Sequence, residues 1–178
     1  MRVVRGVCLA AACSACLVAD PPQYDEPERT PPFLDLVAAT PSPNRVIVRN
    51  RNVSSLVNFD VPVRSEDNGD PLAFALHLDY SFETSSPVYQ DRFPAGSFED
   101  EGRSIQFPWT IKGDVEDGCH QLTLLVAHNS NWVVSQSRPD VIKGRGDTAM
   151  ATWWLNLNPL ADDPDSLIDC PNSSEIQQ

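Results

Sequence analysis

LVNFDVPV, residues 56–63, carries a period of two from Val57 onward. Val57, Phe59, Val61 and Val63 fall on one face, and Asn58, Asp60 and Pro62 on the other. Successive side chains leave a strand on opposite sides, so a period of two marks an extended segment with one buried face. Pro62 has no N–H to give to a ladder, which predicts an edge strand or a break at that point. The turn-forming stretch SEDNGDP, residues 65–71, ends the segment. The pattern then recurs. LAFALHLDY (72–80) puts Leu72, Phe74, Leu76, Leu78 and Tyr80 on one face and His77 and Asp79 on the other. RSIQFPWTI (103–111) offers Ile105, Phe107, Trp109 and Ile111. QLTLLVAH (121–128) offers Leu122, Leu124 and Val126, and ATWWLNLN (151–158) offers Ala151, Trp153, Leu155 and Leu157. RVIVRN (45–50) is a shorter candidate, and a seventh strand has room around Trp132 to Ser135.

No stretch of 12 residues carries the 3.6-residue period of a helix. Short strands with one apolar face each, separated by turns, predict an all-β fold of two antiparallel sheets packed face to face. Over residues 45–158 the order resembles an immunoglobulin-like β-sandwich. GCHQLTLLVAH (118–128), preceded by a turn and followed by a last long strand, is similar to that fold's penultimate and final strands. The inter-sheet cysteine pair and the tyrosine corner of immunoglobulin domains are not visible, and a small jelly roll has nearly the same pattern.

The flanks differ from this core. Between Asp20 and Asn44 stand seven prolines, which exclude a helix or a central strand there. At ~3.1 Å per residue, residues 17–32 would span on the order of 50 Å as an extended spacer. Ahead of them, Arg2 and Arg5, an apolar run from Val7 to Ala12 and small residues up to Cys16 follow the order of a secretory leader. Cys13-Ser14-Ala15-Cys16 resembles the lipobox of bacterial lipoproteins, although Cys13 stands where that family has leucine. The resemblance implies cleavage before Cys16 and a diacylglycerol on its sulfur. Ala10-Ala11-Ala12-Cys13 is an alternative register that makes Cys13 the lipidated residue, and cleavage by ordinary signal peptidase, for instance after Ala19, is a further one. Leu17, in place of aspartate, implies delivery to the outer membrane in that family.

The cysteine count favours Cys16. Of Cys8, Cys13, Cys16, Cys119 and Cys170, the first two then leave with the leader and an even pair remains in an oxidising compartment. A Cys119–Cys170 disulfide would close a loop of about 50 residues, worth roughly 4 kcal/mol by loop entropy. The expected organisation is a signal peptide over 1–15, an anchored linker over 16–44, a sandwich over 45–158 and an acidic tail over 159–178.

The formal charge of the whole chain is −12. Without Arg2 and Arg5 the mature chain has 11 basic against 25 acidic side chains, a formal −14. Phosphate backbones repel such a surface, so nucleic acid is excluded as a partner and membrane attachment is expected through the N-terminal lipid.

Candidate chemistry is sparse. His120 and His128 lie about 26 Å apart along an extended strand at ~3.3 Å per residue, too far to share a metal. With His77 they complete the histidines, and no H-E-x-x-H or G-x-S-x-G occurs. Ser97 and Ser130 are loop serines without a local signature. Glu66, Asp67, Asn68 and Asp70, and likewise Asp162, Asp163 and Asp165, supply oxygens that calcium could use but read as solvated turns. No metal or cofactor is therefore expected. Trp153 and Trp154 must point to opposite faces, so Trp154 is the candidate surface aromatic, with Trp132 and Trp109 as additions. The loop from Ser135 to Thr148, with Lys143 and Arg145, is the candidate recognition loop. The composite expectation is a non-enzymatic, lipid-anchored envelope protein that binds or scaffolds an envelope protein or glycan. A carbohydrate-binding module using tryptophan and a secreted hydrolase are the alternatives.

Overall fold

The computed structural model describes residues 30–67, 69–80, 86–96, 103–135, 138–140 and 147–159. Ten strands run in order through these residues: β1 (Phe33–Leu34), β2 (Ile47–Arg49), β3 (Leu56–Arg64), β4 (Leu72–Leu78), β5 (Tyr89–Phe93), β6 (Arg103–Thr110), β7 (Gly118–His128), β8 (Val133–Ser135), β9 (Arg138–Asp140) and β10 (Thr148–Leu157). They form a three-stranded sheet in the order β1-β3-β6 and a five-stranded sheet in the order β2-β10-β7-β4-β5, with β8 and β9 as a separate pair. The fold is an all-β sandwich, as the alternation predicts.

The inward residues are those that share parity in the sequence. Val57, Phe59, Val61 and Val63 of β3 and Ile105, Phe107 and Trp109 of β6 face Leu72, Phe74 and Leu76 of β4, Leu122, Leu124 and Val126 of β7, and Trp153 and Leu155 of β10. Phe59 stacks on Phe107 at 4.9 Å between ring centroids and meets the edge of Trp153 at 5.2 Å. Such pairs add about 0.5–1.5 kcal/mol each beyond the apolar area they bury. Trp109 belongs to this core and is no surface platform, which its shared parity with Ile105 and Phe107 requires.

Two expectations are corrected. β3 is central, lying between β1 and β6. It tolerates Pro62 because that residue's carbonyl accepts the Asp35 N–H at 2.9 Å, on the β1 side. In an antiparallel strand a residue's N–H and C=O point the same way, so the missing donor faces two-residue β1 and not the long ladder to β6. β4 is also buried on both faces: Ala75 and His77 are 0% and 1% exposed although they point away from the sandwich core. Thr123, Leu125 and Ala127 of neighbouring β7 are equally buried on that side.

The packed unit begins earlier than residue 45. Leu34 and Ala39 join the core, Thr40 bridges to Asp60, and the Pro41 carbonyl accepts the Trp153 indole N–H at 2.7 Å. The segment crosses from one sheet to the other here, and β2 then runs parallel to β10. Residues 1–29 and 160–178, with the expected leader, anchor and tail, lie outside the described residues.

Candidate functional site

β7 carries a histidine at each end of its ladder. Its antiparallel register sets Leu72 opposite His128 and Thr148 opposite Ala127, so Asp147, just before β10, arrives beside His128. Ser65 comes from the other sheet, one residue past the end of β3. Three chain segments thus meet at one imidazole.

The Ser65 Oγ lies 3.0 Å from His128 Nε2, and His128 Nδ1 makes a short contact with Oδ1 of Asp147. A carboxylate only accepts, so Nδ1 carries the hydrogen. In the neutral imidazole Nε2 then accepts the Ser65 hydroxyl proton. Ser65 Oγ in turn accepts the Asp67 backbone N–H at 3.1 Å. His128 is fully buried, Asp147 is buried and Ser65 is half-buried at the rim. Oδ2 of Asp67 approaches Nε2 at 3.9 Å. That oxygen, Oδ2 of Asp147 and Oγ1 of Thr148 are buried without a hydrogen-bond partner. A buried polar atom left unpaired costs about 1–3 kcal/mol, so this end of the sandwich has bonding capacity that its own side chains do not fill.

The opposite end is closed. His120 Nδ1 pairs with Oδ2 of Asp79 at 2.7 Å, and its Nε2 pairs with the Glu116 carbonyl at 2.9 Å. Asp79, at φ 49°, also accepts the Gln121 N–H through Oδ1 at 2.8 Å and returns its own N–H to the Gln121 carbonyl at 2.7 Å. Nearby, Arg51 donates to Asp117 and to the Lys112 and Val115 carbonyls, while Asn158, at φ 51°, donates from Nδ2 to Asp117 and accepts the Arg51 N–H. These groups lock the loops together.

The residues singled out from the sequence are dispersed. Trp154 is half-buried on the outer face of β10, opposite Gln121. Trp132 is half-buried after a single 3-10 turn, Asn129–Asn131, and its indole N–H points to the Ala127 carbonyl at 3.4 Å. Gln121 and Ala127 are six positions apart on β7, about 20 Å at ~3.3 Å per residue, so the two indoles make no common platform. Lys143, Arg145, Ser97, the Asp162–Asp165 cluster, Cys13, Cys16 and Cys170 lie outside the described residues. Cys119, at the start of β7, is disulfide-bonded. In the 65–71 turn, Glu66 accepts the Thr30 hydroxyl at 3.0 Å, and the Asp70 N–H closes on the Asp67 carbonyl at 2.9 Å. Among the described residues no three His, Cys, Asp or Glu side chains group to hold a metal, and no helix is long and apolar enough to cross a membrane.

Ser65 and Asp147 escaped the sequence reading because their meeting with His128 depends on register. The available signal was that His128 ends one strand and Asp147 immediately precedes the next long one. No family model matches this chain, and no curated protein matches it in sequence.

Proposed function

We propose that the protein is an exported lipoprotein, anchored through Cys16 or alternatively Cys13, that presents an immunoglobulin-like sandwich as a binding or scaffolding module of the cell envelope, at the outer membrane. The observation that carries the binding role is the outer row of β10. Met150 is 60% exposed there, and Thr152 and Trp154 continue the same face half-buried. Neighbouring central-strand residues on that face are small or buried, so this row is the accessible apolar surface of the five-stranded sheet. Methionine and tryptophan together suit contact with a protein or with the face of a sugar. Residues 17–32 would give the module reach from the membrane, and a Cys119–Cys170 bond would hold the acidic tail against β7.

A photoreactive amino acid placed at Met150 in the native cell is expected to capture one envelope component, with capture abolished by Trp154→Ala. Capture at many bands, or no dependence on Trp154, would remove the row as the binding surface. Saturable quenching of tryptophan fluorescence by a polysaccharide, lost in the same variant, would make the partner a glycan. Intact-mass measurement of the native protein tests the anchor: a diacylglycerol-bearing new N-terminus is expected at Cys16, and an unmodified Met1 would refute export.

A further inference from the structure

We propose that Ser65, His128 and Asp147 form a proton relay that makes Ser65 a nucleophile toward acyl esters. This goes beyond a binding role, runs against the expectation of no enzymatic chemistry, and rests on residues separate from the β10 row. Three observations carry it. The hydrogen-bond polarity runs in one direction, from the Ser65 hydroxyl to Nε2 and from the Nδ1 hydrogen to Asp147. The base and its carboxylate are buried while Ser65 is only half-buried. The buried Oδ2 atoms of Asp67 and Asp147 beside the ring have no partner, so this end can take a further hydrogen-bond donor, such as the attacking water or a cationic group of the substrate.

The chemistry follows from these positions. Attack of Ser65 Oγ on an ester carbonyl carbon sends the hydroxyl proton to Nε2. The imidazolium so formed lies between Asp147 at Nδ1 and the Asp67 carboxylate 3.9 Å from Nε2. The C–O bond to the alcohol breaks, and the alcohol leaves with the proton from Nε2. Water, deprotonated at the same nitrogen, then cleaves the acyl-Ser65 ester and restores the hydroxyl, so ester and water yield acid and alcohol. Asp67 and the formal charge of −12 repel anions, which selects a neutral or cationic ester over a phosphorylated one.

The test is covalent labelling of the full chain with a neutral alkyl fluorophosphonate, with the adduct located by peptide mass spectrometry. An adduct on Ser65 is expected, with fluoride released, absent in Ser65→Ala and formed on the order of 10²–10⁴-fold more slowly in Asp147→Asn. No adduct on the folded protein, an adduct on a different serine only, or an unchanged rate in Asp147→Asn overturns the relay. If Asp147→Asn does not fold, Ser65→Cys gives the second readout. Its mapped thiol is expected to react with iodoacetamide at neutral pH at least about tenfold faster than free cysteine, because a paired thiol holds more thiolate. A rate at or below that of free cysteine overturns the proposal equally.

Discussion

His120 and His128 stand near opposite ends of one strand, and each is paired with an aspartate from another segment, yet the two ends are built differently. At the His120 end the aspartate is 55% exposed, both ring nitrogens are paired, and Arg51, Asp117 and Asn158 are linked to one another beside it. At the His128 end the imidazole is fully buried, it joins segments from both sheets, and one oxygen of each carboxylate beside it, Asp67 and Asp147, remains unpaired. The first arrangement is complete as it stands. The second retains unused bonding capacity beside a half-buried serine. The same residue type on the same strand thus serves closure at one end and reactivity at the other, and the neighbours decide which.

The sharpest way to break this contrast is to remove each histidine in turn. His128→Ala deletes a buried ring and strands the Asp147 carboxylate, so a loss of about 3–5 kcal/mol is expected in urea unfolding. Next comes Asp79→Val, about 2–3 kcal/mol, because a β-branched residue resists φ 49° and the Gln121 N–H loses its acceptor. Thermal melts of Asp79→Asn beside it should show most of that loss recovered, since asparagine accepts the same backbone. His120→Ala should cost no more than about 1 kcal/mol, as its partner carboxylate is largely in water. Parity between His120→Ala and His128→Ala would dissolve the distinction between the two ends. Comparable to His120→Ala is Ser65→Ala, at about 0.5–1 kcal/mol, the lower part of the net worth of one hydrogen bond. That variant should therefore keep its cooperative transition while losing all covalent labelling, and a large drop in stability would instead mark Ser65 as a structural clasp.

Much of the fold was legible before any coordinates. β2, β3, β4, β6, β7 and β10 all follow from period-two alternation, because burial on one face forces apolar residues to every second position. β5 was not legible: Tyr89–Phe93 reads YQDRF and is exposed or half-exposed throughout, so no buried face stamps a pattern on it. β1 has only two residues, too few for any period to show. The burial of both faces of β4 is carried by Ala73, Ala75 and His77, which alternation alone counts as the wet side. The site was less legible for a different reason. Ser65 lies 63 residues and Asp147 lies 19 residues from His128, and only strand pairing brings them together. In the sequence Ser65 is simply the first residue of a turn, and Asp147 the end of a glycine-bearing loop.

The sheet-crossing N-terminal segment has a mechanical corollary. β2 lies toward the N-terminal side of the chain and runs parallel to β10, the last strand described. A tug on the tether, resisted at the far end of the chain, pulls these two neighbours lengthwise past each other. Bonds in such a pair must give way together, whereas strands peeled apart from one end yield singly. Little β1 would come away first, and the body of the domain would then hold.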